Sequence, residues 1–226
     1  MMGSQLTDLG FLLTDNPEQI ATSLQIIILL TVLTLAPAIL ILTTSFTRIV
    51  ISLSFIRNAL ATNQMPPNQV IVGLALFLTF FTMAPVFGQM WDQGLAPYFA
   101  GEVNLETAFD LTVEPLREFM FEHTREKDLA MFLDVRGQER PETRQDVDLL
   151  TLIPAFVISE LKTAFQIGFV IFIPFLVIDM IVASTLMAMG MMMLPPVMIS
   201  LPFKILLFVL VDGWHLVVRS VLLSYF

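Results

Sequence analysis

Cysteine is absent from the 226 residues, which excludes disulfides, thiolate nucleophiles and thiolate metal sites and leaves the redox compartment open. Histidine is nearly absent: His123 and His215 are far apart in the chain and too few for a zinc site. Charge is scarce, at 14% of residues against 56% hydrophobic, a balance foreign to soluble domains. Basic charge is scarcer still. With 11 Lys and Arg against 20 Asp and Glu, the net charge is −9, and nothing basic clusters enough to neutralise phosphates, so nucleic acid is not an expected partner. The chain has no glycine-rich phosphate loop, no HExxH, no paired intramembrane carboxylates and no serine with a plausible histidine partner. It therefore reads as a protein without catalytic activity, cofactor or metal.

What the chain does have is length of apolar sequence. Gln19–Thr47, Asn58–Trp91 and Met180–Phe203 carry no charge at all, and each exceeds the roughly 20 residues that cross a bilayer as a helix. A fourth apolar block, Leu149–Ile178, contains only Glu160 and Lys162 as charges. Most of the charge lies instead between Glu102 and Asp148, which is therefore the aqueous part. The reading is an all-α, membrane-associated protein of helical hairpins with proline-broken apolar helices. Three regions follow: an N-terminal hairpin region over 1–100, an acidic, partly helical segment over 101–148, and a C-terminal apolar region over 149–226. Arg48 and Arg57 are the only charges between Glu18 and Asp92, in the link between the first two blocks. The positive-inside rule puts that link in the cytoplasm and the acidic segment outside. The opening "MMGSQLTDLGFLLTDNPEQ" has acidic residues and no basic one before its apolar run, so it does not read as a secretory signal. Either the first apolar block drives insertion or a signal has already been removed.

Prolines punctuate the apolar blocks at Pro37, Pro66, Pro67, Pro85, Pro154, Pro174, Pro195, Pro196 and Pro202. Each removes a backbone donor, which lipid tolerates poorly unless protein or a water-filled cavity covers the exposed groups. In "VEPLREFMFEHTREK" a helix is expected to open at Pro115, with Leu116, Phe119, Met120 and His123 on one face at helical spacing. Leu129, Met131, Phe132 and Leu133 continue that apolar surface, and "RGQERPETRQDVD" reads as an exposed loop. The two double-proline sites do not match well enough in their flanks to argue an inverted repeat.

The stretch "MAMGMMMLPPVMIS" sets methionines against a double proline. Three readings stand: soft ligands for copper(I), adaptable packing filler, or a deformable apolar seal around a pore. Glu160 and Lys162 are two residues apart and do not face each other on a helix, so each needs a partner elsewhere. Arg48, Arg57, Asp179, Lys204 and Asp212 are the supply, and Glu160 with Lys204 is the first pairing considered, as a structural ion pair before a proton relay.

Two long blocks, "LTTSFTRIVISLSFIRNALATNQMPPNQVIVGLALFLTFFTMAP" and "FLVIDMIVASTLMAMGMMMLPPVMISLPFKILLFVLVDGW", resemble the hallmark segments of the FliP/SctR family of type III secretion export-gate proteins. The resemblance continues through "ISELKTAFQIGF" and is closer to the flagellar than to the injectisome branch. It implies a pentamer joined by FliQ-like and FliR-like subunits and a FlhB-like subunit. The assembly would be a helical, cone-like gate for unfolded flagellar proteins in the bacterial inner membrane, at the flagellar basal body, with the acidic segment on the periplasmic side. Much of such an assembly is lifted out of the bilayer plane, so sister subunits would cover backbone that lipid cannot. By the same resemblance Met191, Met192 and Met193 are a pore gasket on a loop formed by Pro195 and Pro196. Glu160 and Lys204 form an ion pair between subunits, and Phe119 and Phe132 are possible pore-lining residues. Family members usually start with a cleavable signal. From other classes, a small-solute or proton-coupled transporter using Glu160, Asp179 and Lys204, and a copper carrier using the methionines, remain open.

Overall fold

A computed structural model describes residues 17–62, 64–137, 141, 143–191 and 193–226, and of residues 17–23 the backbone alone. The start of the chain, where the signal reading falls, and Met192 lie outside the described residues. Among the described residues every regular element is a helix, as the composition implied: α1 Pro17–Thr43, α2 Phe46–Ala59, α3 Asn68–Met90, α4 Ala96–Phe99, α5 Leu105–His123, α6 Glu126–Arg136, α7 Leu149–Ala188, α8 Pro196–Leu210 and α9 Gly213–Leu223. A π-helical turn at Trp91–Leu95 joins α3 to α4, and a short 3-10 turn, Arg144–Asp146, precedes α7. The chain divides into two compact units, Met1–Ile41 and Leu42–Phe226. The first unit contains most of α1, in which Leu24–Thr43 is long and apolar enough to cross a membrane.

The second unit is organised around α2. Phe46, Ile49, Leu53, Ile56 and Ala59 recur at helical spacing and are buried, so α2 offers one continuous apolar face. It packs chiefly on α7 and α3. Ile71 and Ala75 of α3, Phe175 of α7, Phe208 of α8 and Val217 and Val221 of α9 complete this core. A second cluster joins Met83 of α3, Phe119, Met120 and Phe121 of α5, and Leu152 and Phe156 of α7. The short link expected between the first two blocks is therefore a buried helix, since the side chains of "FTRIVISLSFIRNA" alternate between apolar and small polar at a period that suits burial against two neighbours.

Single prolines do not break the apolar helices as expected. α1, α3, α5, α7 and α8 run through Pro37, Pro85, Pro115, Pro154, Pro174 and Pro202. The breaks between helices fall at the two double prolines instead, where α3 and α8 begin. The residue before a proline is pushed out of the α region, and in a pair the first proline is itself that residue: Pro195, before Pro196, has ψ 115, and Pro67 caps the start of α3 with ψ 151 outside the helical region. As a result the third and fourth apolar blocks are redistributed: α7 is one 40-residue helix, and Met180–Phe203 is shared between α7 and α8. Among the described residues the membrane-length segments are Leu24–Thr43, Asn68–Phe99 and Leu149–Ala188, with a fourth if α8 and α9, bent by 65°, count as one span.

In the acidic segment the helix opens at Leu105, ten residues before the expected start at Pro115. Asn104 outbids the proline as a start signal: its side chain accepts the Thr107 N–H at 2.8 Å, the bond an N-cap requires. The expected apolar face is formed, with Phe119 and Met120 buried and Leu116 packed against their cluster. α5 approaches the π-helical turn so closely that a Cβ on Gly94 would lie 2.1 Å from Thr112 Oγ1 and 2.8 Å from the Thr112 backbone nitrogen. Backbone cannot yield as a side chain tip does. Gly94→Ala is expected to cost about 1–3 kcal/mol by overpacking, read as a lower thermal midpoint in detergent, whereas Gly73→Ala, with nothing within 4 Å, should leave it unchanged or higher. Equal midpoints for the two variants would refute the close approach.

Candidate functional site

Two features of the second unit concentrate the residues that the sequence singled out. One is the methionine loop between α7 and α8. Gly190, with φ +75°, ends α7 in the left-handed conformation that favours glycine. The Met191 N–H reaches the Leu186 carbonyl and the Gly190 N–H the Met187 carbonyl, each at 3.0 Å, which is the Schellman closure of a helix end. Pro195 and Pro196 then start α8, Pro196 in its first turn where a missing donor costs nothing. The loop is thus fixed at both ends while its side chains are presented outward: Met187, Met189, Met191 and Met193 are exposed, Met193 at 97%. Among the described residues the loop has no histidine or carboxylate beside it that would group into a metal site.

The other feature is a buried charge network. Arg48 of α2 is 3% exposed and Glu160 of α7 is fully buried, and they form a two-pronged ion pair: the Arg48 Nε–H donates to Glu160 Oε2 at 3.0 Å and Nη2 donates to Oε1. Such a fork satisfies both partners in one plane. The residues after α9 close the network. Arg48 Nη1 donates to the Ser224 carbonyl at 2.8 Å and to Ser224 Oγ at 2.9 Å, the Tyr225 hydroxyl donates to Glu160 Oε2 at 2.6 Å, and the guanidinium lies 3.9 Å from the centre of the Tyr225 ring.

Within one chain, then, Glu160 bonds Arg48 and not Lys204. Lys204 of α8, also buried, donates to Asp179 Oδ2 of α7 at 2.7 Å and to the Ala59 carbonyl at the end of α2 at 3.2 Å, while Ser200 donates to Asp179 Oδ1 at 2.5 Å. Two ion pairs, one fully and one partly buried, hold α2, α7 and α8 together, each with its own cation and anion. Arg48, read as a topology signal beside Arg57, is neutralised in the core. Arg57 is half-buried, with Nη1 at 3.4 Å from Asn68 Oδ1. Lys162 is exposed. Arg48 and Asp179 were among the candidate partners but were not assigned, and the roles of Ser224 and Tyr225 were not anticipated. Arg48 was visible as a lone cation with helical apolar spacing around it, but nothing in a sequence says that the last residues fold back onto it.

Phe119, expected on the pore side, is only 6% exposed and is surrounded by its own chain: Phe156, His123 and Tyr225 rings lie 5.9, 4.7 and 6.1 Å away. A side chain with so little free surface has almost none to lend a pore, and the helical face that buries it is the one read from the sequence. Phe132 of α6 is half-buried.

His123 sits against Tyr225, ring centres 5.0 Å apart. Burial first, and the Arg48 charge second, lower its pKa from 6.5 to about 4. The fold therefore holds His123 neutral while the unfolded chain takes up a proton at 6.5. Stability is complete above pH 6.5 and falls as the pH drops from 6.5 towards 4. A thermal midpoint that declines over this window, and a flatter profile in His123→Phe, is the expected result; identical profiles would contradict the depressed pKa.

Comparison with known proteins places these features. The flagellar biosynthetic protein FliP of Bacillus subtilis (strain 168) is 60% identical over 94% of this chain and 96% of its own length. Its counterpart in Pectobacterium carotovorum is 55% identical over 95% of this chain and 83% of its own, and that of Borreliella burgdorferi 49% identical over 92% and 83%. The FliP family model matches residues 29–221, which include the charge network up to α9, the acidic segment and the methionine loop. The chain belongs to the FliP family.

Proposed function

We propose that the chain is a non-enzymatic subunit of a flagellar type III export gate, which conducts unfolded flagellar proteins across the bacterial inner membrane. Copies assemble as a pentamer with FliQ-like and FliR-like subunits and contact a FlhB-like subunit, with the acidic segment of α5 and α6 on the periplasmic side. The methionine loop faces the channel of the assembly as a gasket. The observation that carries this reading is the loop itself: apolar side chains without fixed geometry, exposed on a backbone whose two ends are locked by Gly190 and by Pro195 with Pro196. Three rotatable bonds and a polarizable sulfur let methionine close against changing surfaces and still yield. The names of the relatives support the flagellar setting. The extent of exposed apolar surface on α3, α7 and α8 supports assembly in a membrane, because only lipid or other protein can cover it. An ion pair between Glu160 and Lys204 of neighbouring subunits would require each to exchange or share the partner it has within the chain.

A proton-coupled transporter would need a carboxylate free to load and release. Glu160 and Asp179 are each held by a cation and a hydroxyl, which favours a structural role. Native mass spectrometry of the detergent-extracted protein, co-expressed with its genomic neighbours, tests the proposal. A discrete multi-copy complex carrying two small hydrophobic partners is expected. A lone monomer or dimer would overturn the gate reading and return the transporter to first place.

A further inference from the structure

Arg48 and Lys204, two of the cations carried by the apolar helices, are each neutralised by a carboxylate of the same chain. Arg219 is not. It lies on α9, is exposed, and among the described residues makes no hydrogen bond or ion pair; His215, one turn earlier on the same face, is likewise exposed and without a polar partner. Both line an open cleft of ≈590 Å³ whose remaining walls are apolar, with Phe81 of α3 on one side and Trp214, Leu222 and Phe226 on the other. No acidic side chain is among the described residues that line it. α8 and α9 together pass as a bent membrane span, so this is a cation in a setting where unpaired charge is costly and marks a partner.

The juxtaposition narrows the partner's chemistry. A soluble anion would satisfy Arg219 and leave the apolar walls uncovered. An uncharged acyl chain would cover the walls and leave the guanidinium unpaired. A molecule that joins an anionic group to an apolar tail meets both demands at once, and the membrane supplies one. We propose that the cleft between α3 and α9 binds an anionic phospholipid, its phosphate received by Arg219 and His215 and an acyl chain lying against Phe81, Leu222 and Phe226. Basic clefts beside membrane helices select phosphate headgroups in this way, and a tryptophan at the start of α9 suits the headgroup level. The guanidinium fork matches two phosphate oxygens, which a choline headgroup in front of the phosphate would offset with its own positive charge.

The full-length protein, extracted with its assembly in detergent, is exchanged into micelles doped with dioleoyl phosphatidylglycerol or with dioleoyl phosphatidylcholine and weighed by native mass spectrometry. Phosphatidylglycerol is expected to stay bound to the wild type, with about fivefold less retained by Arg219→Gln and an intermediate amount by Arg219→Lys, which keeps the charge and loses the fork. Phosphatidylcholine should be retained weakly and equally by all three. Equal phosphatidylglycerol retention in Arg219→Gln would overturn the assignment. So would competition by millimolar inorganic phosphate, which would make the cleft a site for free anions, or loss of a subunit from Arg219→Gln complexes, which would assign the arginine to a protein carboxylate. Should Arg219→Gln fail to accumulate, His215→Gln provides the same comparison, since its side chain is exposed and belongs to neither apolar core. The outcome is independent of the gate reading, because lipid adducts and subunit number are read as separate mass differences.

Discussion

Glu160→Ala is expected to leave almost no assembled protein in the membrane. The substitution strands Arg48, 3% exposed, without its carboxylate, and removing one member of a buried pair costs about 3–5 kcal/mol because the other charge stays desolvated. That is a large part of the 5–15 kcal/mol typical of a domain. The cost arises from the orphaned charge more than from the lost attraction, so a control follows. Arg48→Met combined with Glu160→Leu should recover most of the loss, while either change alone should not. Tyr225→Phe removes one hydrogen bond to the same carboxylate and should cost about 1–2 kcal/mol, with the ring and its stacking retained. Membrane-fraction immunoblots and thermal midpoints of the purified complexes read all five. Normal accumulation of Glu160→Ala would mean that the pair is not buried in the living assembly, and an unrecovered double variant would give Glu160 a task beyond neutralising Arg48.

Replacing Met191, Met192 and Met193 together by alanine should open a leak. If the loop seals a channel, alanine removes the side chains that fill its bore, and cells carrying the triple variant should become sensitive to small ions and lose proton motive force. The same three positions as leucine should remain close to tight, because an apolar plug of similar volume persists. A copper carrier predicts the opposite ordering: leucine would abolish Cu(I) uptake as completely as alanine does, since neither offers sulfur. Conductance of the reconstituted complex and Cu(I) titration of the same preparation separate the two. A tight alanine variant would sink the gasket.

Much of the fold class was legible because lipid-scale apolar runs leave few alternatives. The methionine loop was legible for a local reason: a double proline forbids helix whatever surrounds it. Glycine at 190 completes the signal, as the first residue after the apolar run able to take φ +75° without strain. Single prolines misled, because a helix can lose one donor and continue, as α7 does through Pro154 and Pro174. Pro115 misled in the same way, its first-turn preference outweighed by the Asn104 cap. Charge pairing was the least legible. Glu160 and Lys162 were singled out as costly, and Glu160 is buried while Lys162 is exposed; which anion meets which cation depends on bringing residues 112 and 176 positions apart to Arg48, and no local pattern encodes that. Phe119 belongs to a helical stripe that packs within its own chain.

α7 carries one more consequence, in its length. Forty residues at 1.5 Å each make a rod of about 60 Å, twice the roughly 30 Å depth of hydrocarbon in a bilayer. At any ordinary tilt it overshoots. No more than about half of it can stand in lipid at once. The half before Gly168 holds most of the buried positions and packs against its own chain, against α2, α5 and α6. The half after Gly168 bears Phe169, Val170, Met180 and Ile181 bare on its surface and matches a single bilayer in span. A helix so divided is a mast stepped in one medium and rising into another, and the height at which it is stepped decides how far the charge network stands from the lipid.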